Sequence, residues 1–327
     1  MELQTFQVTD SRILHRDWEP LPMQWWTYAD ISLTDHQHFP DPIKLRPLRD
    51  VEDDDFLINH KIDRSYDDST VRFKLVVGNA VSANLTDTTN LPIKPNVKEL
   101  IKKQGWLSDE YEHLWRRDGG GSACLNSHSI LTFLLQTPRD GKAFCSLSLV
   151  NRERTHCGGV FIGDDHYSLD NLLSGQAYLN KHPKVPRDFA VLPFNILVTH
   201  VEETLGYVHR LERELTSTEK RIAEGKISLD DNGDYKLLNR LSLEHLRVQR
   251  RSNFELELAE NLLKYVGEYH DLWRHLWEGG TGYIEEMREK IEQQTRYAKQ
   301  VHLDLEIIPR RIKGQSKAVC VGGTPGR

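Results

Sequence analysis

The chain has 327 residues, which is long enough for one or two domains with a hydrophobic core. Hydrophobic residues make up 38% of it and charged residues 28%, which is typical of a hydrophilic soluble protein with much surface. The net charge of −6 at pH 7 gives no general case for binding DNA or RNA.

Neither the cysteines nor the apolar runs indicate secretion or membrane insertion. The four cysteines have no framework spacing and no signal peptide precedes them, so reduced thiols in the cytoplasm are expected. The longest apolar runs, 130–135 and 190–198, are far shorter than the ~20 residues of a membrane helix. We therefore expect a cytoplasmic chain that does not span a bilayer and reaches a membrane only through a partner.

Residues 1–40 are interpreted as an N-terminal extension. They contain aromatic residues without a clear period, placed among three prolines: Trp18, Trp25, Trp26, Tyr28 and Phe39. Such residues are typical of segments that pack onto a domain surface. An exposed arm that binds a partner is the alternative.

The next stretch, 41–70, is acidic. Its carboxylates lie in two groups, Glu52, Asp53, Asp54 and Asp55, and then Asp63, Asp67 and Asp68. Mg²⁺ and Ca²⁺ prefer carboxylate ligands. Because adjacent carboxylates in a run cannot all face one ion, a solvated acidic turn is favoured over a cation site.

Residues 41–190 are predicted to form an α/β layer domain. Runs rich in β-branched residues or with alternating polarity predict strands at 71–77, 129–136, 143–150 and 158–162. A turn is predicted at 137–142, a flexible break at 119–122, and short helices near 97–103 and 108–117. The sheet should be small and mainly antiparallel, so the fold class of the whole chain is α+β.

Candidate chemical groups in this domain do not combine into a known site. Cys145, His156 and Cys157 lack the close Cys pairs of zinc sites, and strand alternation explains Cys145 as a core residue. A loop after a strand explains the possible acid–base groups Asp164, Asp165 and His166. Neither Ser148 nor Cys157 has the local signature of a nucleophile. We predict no catalytic and no cofactor-binding residue, and we leave metal ligands unassigned.

The C-terminal third, 193–309, repeats apolar residues every seven positions. The first series is Val201, Val208, Leu215 and Ile222, with Thr204, Leu211 and Thr218 between them. The last is Ile284, Ile291, Ala298 and Leu305, with Met287, Gln294, Val301 and Ile308 between them. A middle series follows the pattern less strictly, with a slip between Val248 and Ala259. This period predicts three long packed helices at about 193–224, 235–277 and 281–309, an antiparallel hairpin and a third stalk-like helix.

Helix boundaries are also predicted. Pro193 suits a first helical turn, and glycines at 279–282 separate the second helix from the third. Pro309 is expected to end the third helix, which leaves 310–327 as a disordered tail. Residues 230–234 resemble the start of a calcium loop, but Tyr235 and Leu241 stand where that loop needs Gly and Glu, so a turn between helices is preferred.

The histidines of the helical region do not form a metal pair. No two lie four apart on one face, and they are interpreted as interfacial or solvent-facing: His200, His209, His245, His270, His275 and His302. Trp273 and Trp277 do lie four apart, and we expect them to pack at the end of the hairpin.

This layout, with the stretches 248–254 and 294–298, resembles the cytosolic part of CorA-like magnesium transporters and is most similar to their divergent fungal members. In that family the third helix continues into a membrane span. The resemblance therefore implies that the basic cluster of Arg310, Arg311, Lys313 and Lys317 lies at the membrane face. The family's Gly-Met-Asn signature is absent, because the only methionines are Met1, Met23 and Met287.

The resemblance implies a soluble, non-enzymatic CorA-like module, either regulatory or a truncated transporter subunit that cannot conduct ions alone. Its partners would be a second copy or a related membrane-spanning subunit, bound through the long helices. Mg²⁺ would be a weak regulatory ligand and no other cofactor is expected. A coiled-coil adaptor or scaffold unrelated to transport explains the heptads equally well. The CorA-like hypothesis differs because it requires a helix-flanked sheet before the hairpin. An enzyme with a site in the α/β domain is the third alternative.

Overall fold

A computed structural model describes most of the chain from residue 71 onward and two strands before it. The described residues are 26–33, 46–47, 71–80, 91, 93, 95–128, 130–139, 143–152, 156–164, 166–174, 189–224, 233–273 and 282–322. The predictions for 1–25, for the acidic groups at 52–68, for 230–232, for 274–281 and for 323–327 lie outside these residues.

One mixed sheet of seven strands forms the N-terminal part of the described structure. The strands are β1 (Trp26–Leu33), β2 (Arg46–Pro47), β3 (Val71–Asn79), β4 (Gly121–Ser127), β5 (Ile130–Gln136), β6 (Cys145–Asn151) and β7 (His156–Gly163). Their order is β2-β1-β3-β7-β6-β5-β4, and only β3 and β7 are parallel neighbours. The predicted α+β class with a mainly antiparallel sheet is therefore confirmed.

Six helices accompany the sheet in the described part of the chain. They are α1 (Pro95–Lys103), α2 (Asp109–Trp115), α3 (Leu169–Ser174), α4 (Val191–Ala223), α5 (Gly233–Trp273) and α6 (Gly282–Gly322). The hydroxyl of Ser108 accepts a hydrogen bond from the backbone N–H of Tyr111 at 3.2 Å and so caps α2, at the predicted start.

Each face of the sheet carries its own apolar core, because successive strand residues point to opposite faces. One face packs against α1, α2 and the loop between them, through Val76, Leu134, Val150, Val160, Trp106, Tyr111 and Trp115. The other face packs against α3, α4 and α5, through Leu75, Phe133, Leu147, Leu149, Phe161, Leu192, Leu258 and Tyr265. The sheet is thus flanked by helices and leads directly into the long helices.

Two stretches differ from the sequence-based prediction. Gly121 and Ser122, predicted as part of a flexible break, begin β4 and pair with Gln136 and Leu135. Residues 26–33, assigned to the extension, form β1, which pairs along its whole length with β3. Pairing with another strand decided both outcomes: β1 pairs with β3, which is distant in sequence, and β4 pairs with the next strand, β5.

The edge strand β4 is covered by polar side chains of α5. Glu257 accepts a hydrogen bond from the N–H of Ser122 (2.9 Å), and the side chain of Asn261 donates to the carbonyl of Ser122 (3.2 Å). Lys264 donates to the carbonyl of Cys124 at 3.0 Å. Backbone groups at a sheet edge are otherwise available to another strand. These contacts therefore close the edge and attach α5 to the sheet.

The long helices pack on one another through the predicted seven-residue pattern. Away from the sheet they share one apolar core, made of Val208, Leu211, Leu215, Leu238, Leu241, Val248, Val301, Leu305, Ile308 and Ile312. The predicted seam threonines Thr204 and Thr218 are buried with them. The pattern thus correctly identified the buried faces of α4 and α6.

Helix α6 does not end at Pro309, and the prediction of a disordered tail is wrong for residues 310–322. A proline lacks the N–H that would bond the carbonyl four residues earlier, here that of Leu305. That carbonyl instead accepts a hydrogen bond from Nε2 of His245 on α5, at 2.9 Å. Two residues after the proline, Arg311 binds both carboxylate oxygens of Glu219 on α4, at 3.0 and 2.7 Å. Neighbouring helices therefore hold α6 together across the proline.

The role of His245 predicts a coupling between two substitutions. His245→Leu leaves the buried carbonyl of Leu305 without a donor, and we expect a loss of about 1–3 kcal/mol in the free energy of unfolding. In a Pro309→Ala background the new N–H at position 309 bonds that carbonyl, so the same substitution should cost less. Urea unfolding of the four proteins of this double-mutant cycle measures the difference. Equal costs in the two backgrounds would contradict the assigned hydrogen bond.

Candidate functional site

A group of polar side chains, most of them buried, lies where the sheet meets α4 and α5. It consists of His166 from the loop after β7, His200, Glu203 and Thr204 from α4, and Arg251 and Glu255 from α5, and is called the buried polar network below. Three segments that are far apart in sequence meet here. The network therefore connects the sheet to both helices of the long pair.

Its centre is a contact between an imidazole and a carboxyl group. Nδ1 of His200 lies 2.6 Å from Oε1 of Glu255, and the hydroxyl of Thr204 donates to the same oxygen. Both His200 and Glu255 have a relative exposure of 0%. Nε2 of His200 and Oε2 of Glu255 have no hydrogen-bond partner among the described residues. The pair is thus completely enclosed and only partly satisfied.

Arg251 extends the network toward the surface. Its side chain is 1% exposed; Nε donates to the hydroxyl of Thr204 at 3.2 Å and Nη2 to Oε2 of Glu203 at 2.5 Å. Glu203 also pairs with the half-exposed His166, and the ring of Tyr207 lies 5.1 Å from the guanidinium carbon. Since Glu203 already balances the charge of Arg251, little positive charge remains to stabilise a second carboxylate.

Burial shifts both central groups toward their neutral forms. It raises the pKa of Glu255 to about 8, an effect that the Glu203 carboxylate increases and that the Thr204 hydroxyl and Arg251 oppose. Burial also lowers the pKa of His200 well below its usual value, and the charges of Arg251 and His166 add to this. Although the two groups are within ion-pair distance, their contact is therefore a hydrogen bond between a protonated carboxyl and a neutral imidazole.

The chemistry open to this arrangement is the holding and release of a proton. Perturbed titratable groups often mark functional sites, but a catalytic pair must also be reached by a substrate. His200 and Glu255 have no exposed surface. Within the described ranges, no group of three or more His, Cys, Asp or Glu side chains could hold a metal ion.

The structure separates the cysteines considered for zinc. Cys145 pairs with Gly163 at one end of the β6–β7 ladder, and Cys157 pairs with Asn151 at the other. Six residues along a strand correspond to about 20 Å. Both thiols are buried, and burial raises the pKa of Cys145 well above its usual value. Cys145 is a core residue, as strand alternation predicted.

The other candidates in the domain have structural contacts. Asp164 accepts hydrogen bonds from the backbone N–H groups of Phe144 (2.6 Å), His166 (3.0 Å) and Tyr167 (3.1 Å), which organises the loop after β7. The buried hydroxyl of Ser148 donates to the carbonyl of Trp106 at 2.9 Å. The loop interpretation of Asp164 is thus supported, and Asp165 lies outside the described residues.

The helical histidines occupy three kinds of position. His200 and His245 are buried between helices, and His302 contacts Ser252 of α5 at 3.1 Å. His209 is exposed, and His275 and Trp277 lie outside the described residues. His200 belongs to a polar network that was not predicted from the sequence. The signal was the slip in the middle heptad series, where the inward-facing residues are Arg251, Ser252 and Glu255.

Comparisons with known proteins bear on the fold alone. No protein-family model and no curated protein sequence matches the chain. Among solved structures, the full-length CmaX protein matches with a TM-score of 0.50 and 12% identity, over 92% of this chain and 78% of that one. The chain therefore has a fold similar to that of CmaX.

Two further structures match less closely. The cytoplasmic domain of ZntB from Vibrio parahaemolyticus matches with a TM-score of 0.42 and 11% identity, over 75% of this chain and 88% of that one. The soluble domain of CorA from Methanocaldococcus jannaschii matches with a TM-score of 0.42 and 11% identity, over 90% of this chain and 96% of that one. Membership of the CorA-like family, and of its fungal branch, stays a prediction. None of the helices in the described part of the chain is both long and apolar enough to cross a bilayer.

Removing the hydroxyl of Thr204, which links Arg251 to Glu255, should destabilise the protein. Thr204→Val leaves Nε of Arg251 without its acceptor and Glu255 without a donor, and we expect a loss of about 1–3 kcal/mol. Thr218→Val is the matched control, because the one partner of this buried hydroxyl among the described residues is the carbonyl of Glu214 on the same helix, at 2.8 Å. There we expect a change of at most about 0.5 kcal/mol. Urea unfolding followed by circular dichroism measures the free energy of unfolding of both variants. Similar losses in the two variants would argue against a special role for Thr204.

Proposed function

We propose that the chain is a non-enzymatic, CorA-like module of the cytoplasm that works by association through its long helices. Its partner is a second copy of the chain or a related membrane-spanning subunit. In either case it would act as a regulatory or structural part that does not conduct ions alone. The similarity in fold to CmaX over 92% of the chain supports this proposal.

The observation that carries the association is the free face of α6. The seam residues Val301, Leu305 and Ile308 are buried, while Leu303 and Ile307 are 55% and 57% exposed. Residues four apart lie next to each other on one helix face, so these two side chains form a small apolar surface opposite the seam. Arg310 and Lys313, both exposed, follow directly. An apolar surface bordered by charge is typical of a contact site.

The sheet favours this proposal over a plain coiled-coil adaptor. An adaptor needs only the helices, whereas a CorA-like module needs a helix-flanked sheet before the hairpin. The two apolar cores on the two faces of the sheet provide that arrangement. An enzyme is the weaker candidate, because the groups with the most perturbed chemistry, His200 and Glu255, are enclosed.

The oligomeric state in solution tests the proposal. We expect light scattering after size-exclusion chromatography to give a mass above the 38.0 kDa of one chain, and Mg²⁺ to change the distribution if it acts as a weak regulatory ligand. Ile307→Glu should weaken association at least tenfold, about 1.4 kcal/mol, because a buried unpaired carboxylate is costly.

Leu243→Glu is the matched control for Ile307→Glu. It introduces the same charge at a side chain that is 62% exposed on α5 and should leave association unchanged. Equal effects of the two substitutions would contradict α6 as the contact surface. A mass of one chain with and without Mg²⁺ would contradict self-association and leave only the membrane-spanning partner.

A further inference from the structure

We propose that His200 and Glu255 form a proton-dependent lock between α4 and α5, which is closed while the pair holds its shared proton and loosens when the proton is lost. This regulation is independent of the proposed association. It rests on the position of the pair, on its enclosure and on the charges around it.

The pair lies at a position where a local change affects the packing of two long helices. His200 lies near the start of α4, where that helix packs on the sheet, and Glu255 lies in the middle of α5. Through Thr204, Arg251 and Glu203 the same network reaches His166 in the loop after β7. A change at the pair therefore acts on the contact between the sheet and the long helices.

Enclosure makes a charge at the pair costly. Neither side chain is exposed, and one polar atom of each, His200 Nε2 and Glu255 Oε2, has no partner among the described residues. The ring of Phe254 lies 4.9 Å from the imidazole and adds an apolar wall. A carboxylate formed here loses its hydration, and among the described residues Thr204 supplies the one hydroxyl that bonds it.

The surrounding charges do not compensate such a carboxylate. From α4 the pair faces Glu203, and from α5 it faces Arg251, which already bonds Glu203. From the loop after β7 it faces His166 and Tyr167, and burial raises the pKa of the Tyr167 hydroxyl so that it stays neutral. On the α6 side, His302 contacts Ser252 of α5. Opposite charges that bind each other leave a third charge unbalanced.

The proton balance follows from the two ring nitrogens. In the closed state Glu255 donates its proton from Oε1 to Nδ1 of His200, and the imidazole proton is on Nε2. When one proton leaves to solvent, the imidazole proton moves to Nδ1 and donates to the carboxylate. The pair then carries one buried negative charge. Separation of α4 from α5, with entry of water, relieves that charge.

The pKa changes of Glu255 and His200 on folding set the direction in which stability depends on pH. Because the pKa of Glu255 rises to about 8 on folding, its contribution to stability is complete below about pH 4.5 and is lost as the pH rises to about 8. The pKa of His200 is lowered on folding, so its contribution is present above about pH 6.5 and lost below it. Of these two contributions, that of Glu255 accounts for most of the change between about pH 6.5 and 8.

Unfolding equilibria of the full chain at several pH values test the lock. From about pH 6.5 to 7.5 the unfolding constant of the wild-type protein should rise about tenfold more than that of Glu255→Gln, whose amide donates to Nδ1 at every pH. Glu260→Gln makes the same chemical change at an exposed position of α5 and should behave like the wild type. At pH 8, amide hydrogen exchange across 200–208 and 251–258 should be about tenfold slower in Glu255→Gln than in the wild type.

Three results would overturn the proposal. They are a wild-type unfolding constant that does not change over this pH range, a Glu255→Gln protein with the slope of the wild type, and exchange in these two segments that is unaffected by the substitution. The first requires no variant, so it decides the matter even where Glu255→Gln fails to fold.

Discussion

The structure depends on the contacts that α5 makes with three neighbours: the sheet, α4 and α6. Its polar side chains close the β4 edge through Glu257, Asn261 and Lys264, and its apolar side chains cover one face of the sheet. The same helix bonds α4 through Arg251 and α6 through His245. Because these contacts lie along one rigid element, the sheet and the other long helices take their places relative to α5.

The buried polar network and the apolar seam divide two tasks. The seam buries apolar side chains along the helices, and a polar residue in such a seam is what specifies register. Here a shift of one turn would separate Arg251 from Thr204 and Glu203, and would leave donors and acceptors unpaired. We infer that the network defines the register of α4 on α5. Its incomplete satisfaction at His200 and Glu255 is what makes that register sensitive to a proton.

Helix α6 combines an inward and an outward role. Its buried face completes the packing with α4 and α5, and its outer face presents Leu303 and Ile307 before a basic segment. The contacts of His245 and Arg311 keep the helix continuous across Pro309, so the apolar pair and the basic residues stand on one helix. A partner that binds this face would therefore contact the apolar pair Leu303 and Ile307 and the basic residues together.

The sequence alone determined the strands β3, β5, β6 and β7 and the buried faces of α4 and α6, because the period of the apolar residues reflects which side of an element meets the core. It also determined the short helices α1 and α2, through the residues that start a helix. Tertiary structure decided what depends on distant partners. Residues 26–33 became a strand by pairing with β3, and α6 continued past Pro309 because His245 bonds the buried carbonyl of Leu305, 60 residues away in sequence. The candidate site was hidden for the same reason: His200 and Glu255, 55 residues apart, are ordinary polar residues until two helices enclose them.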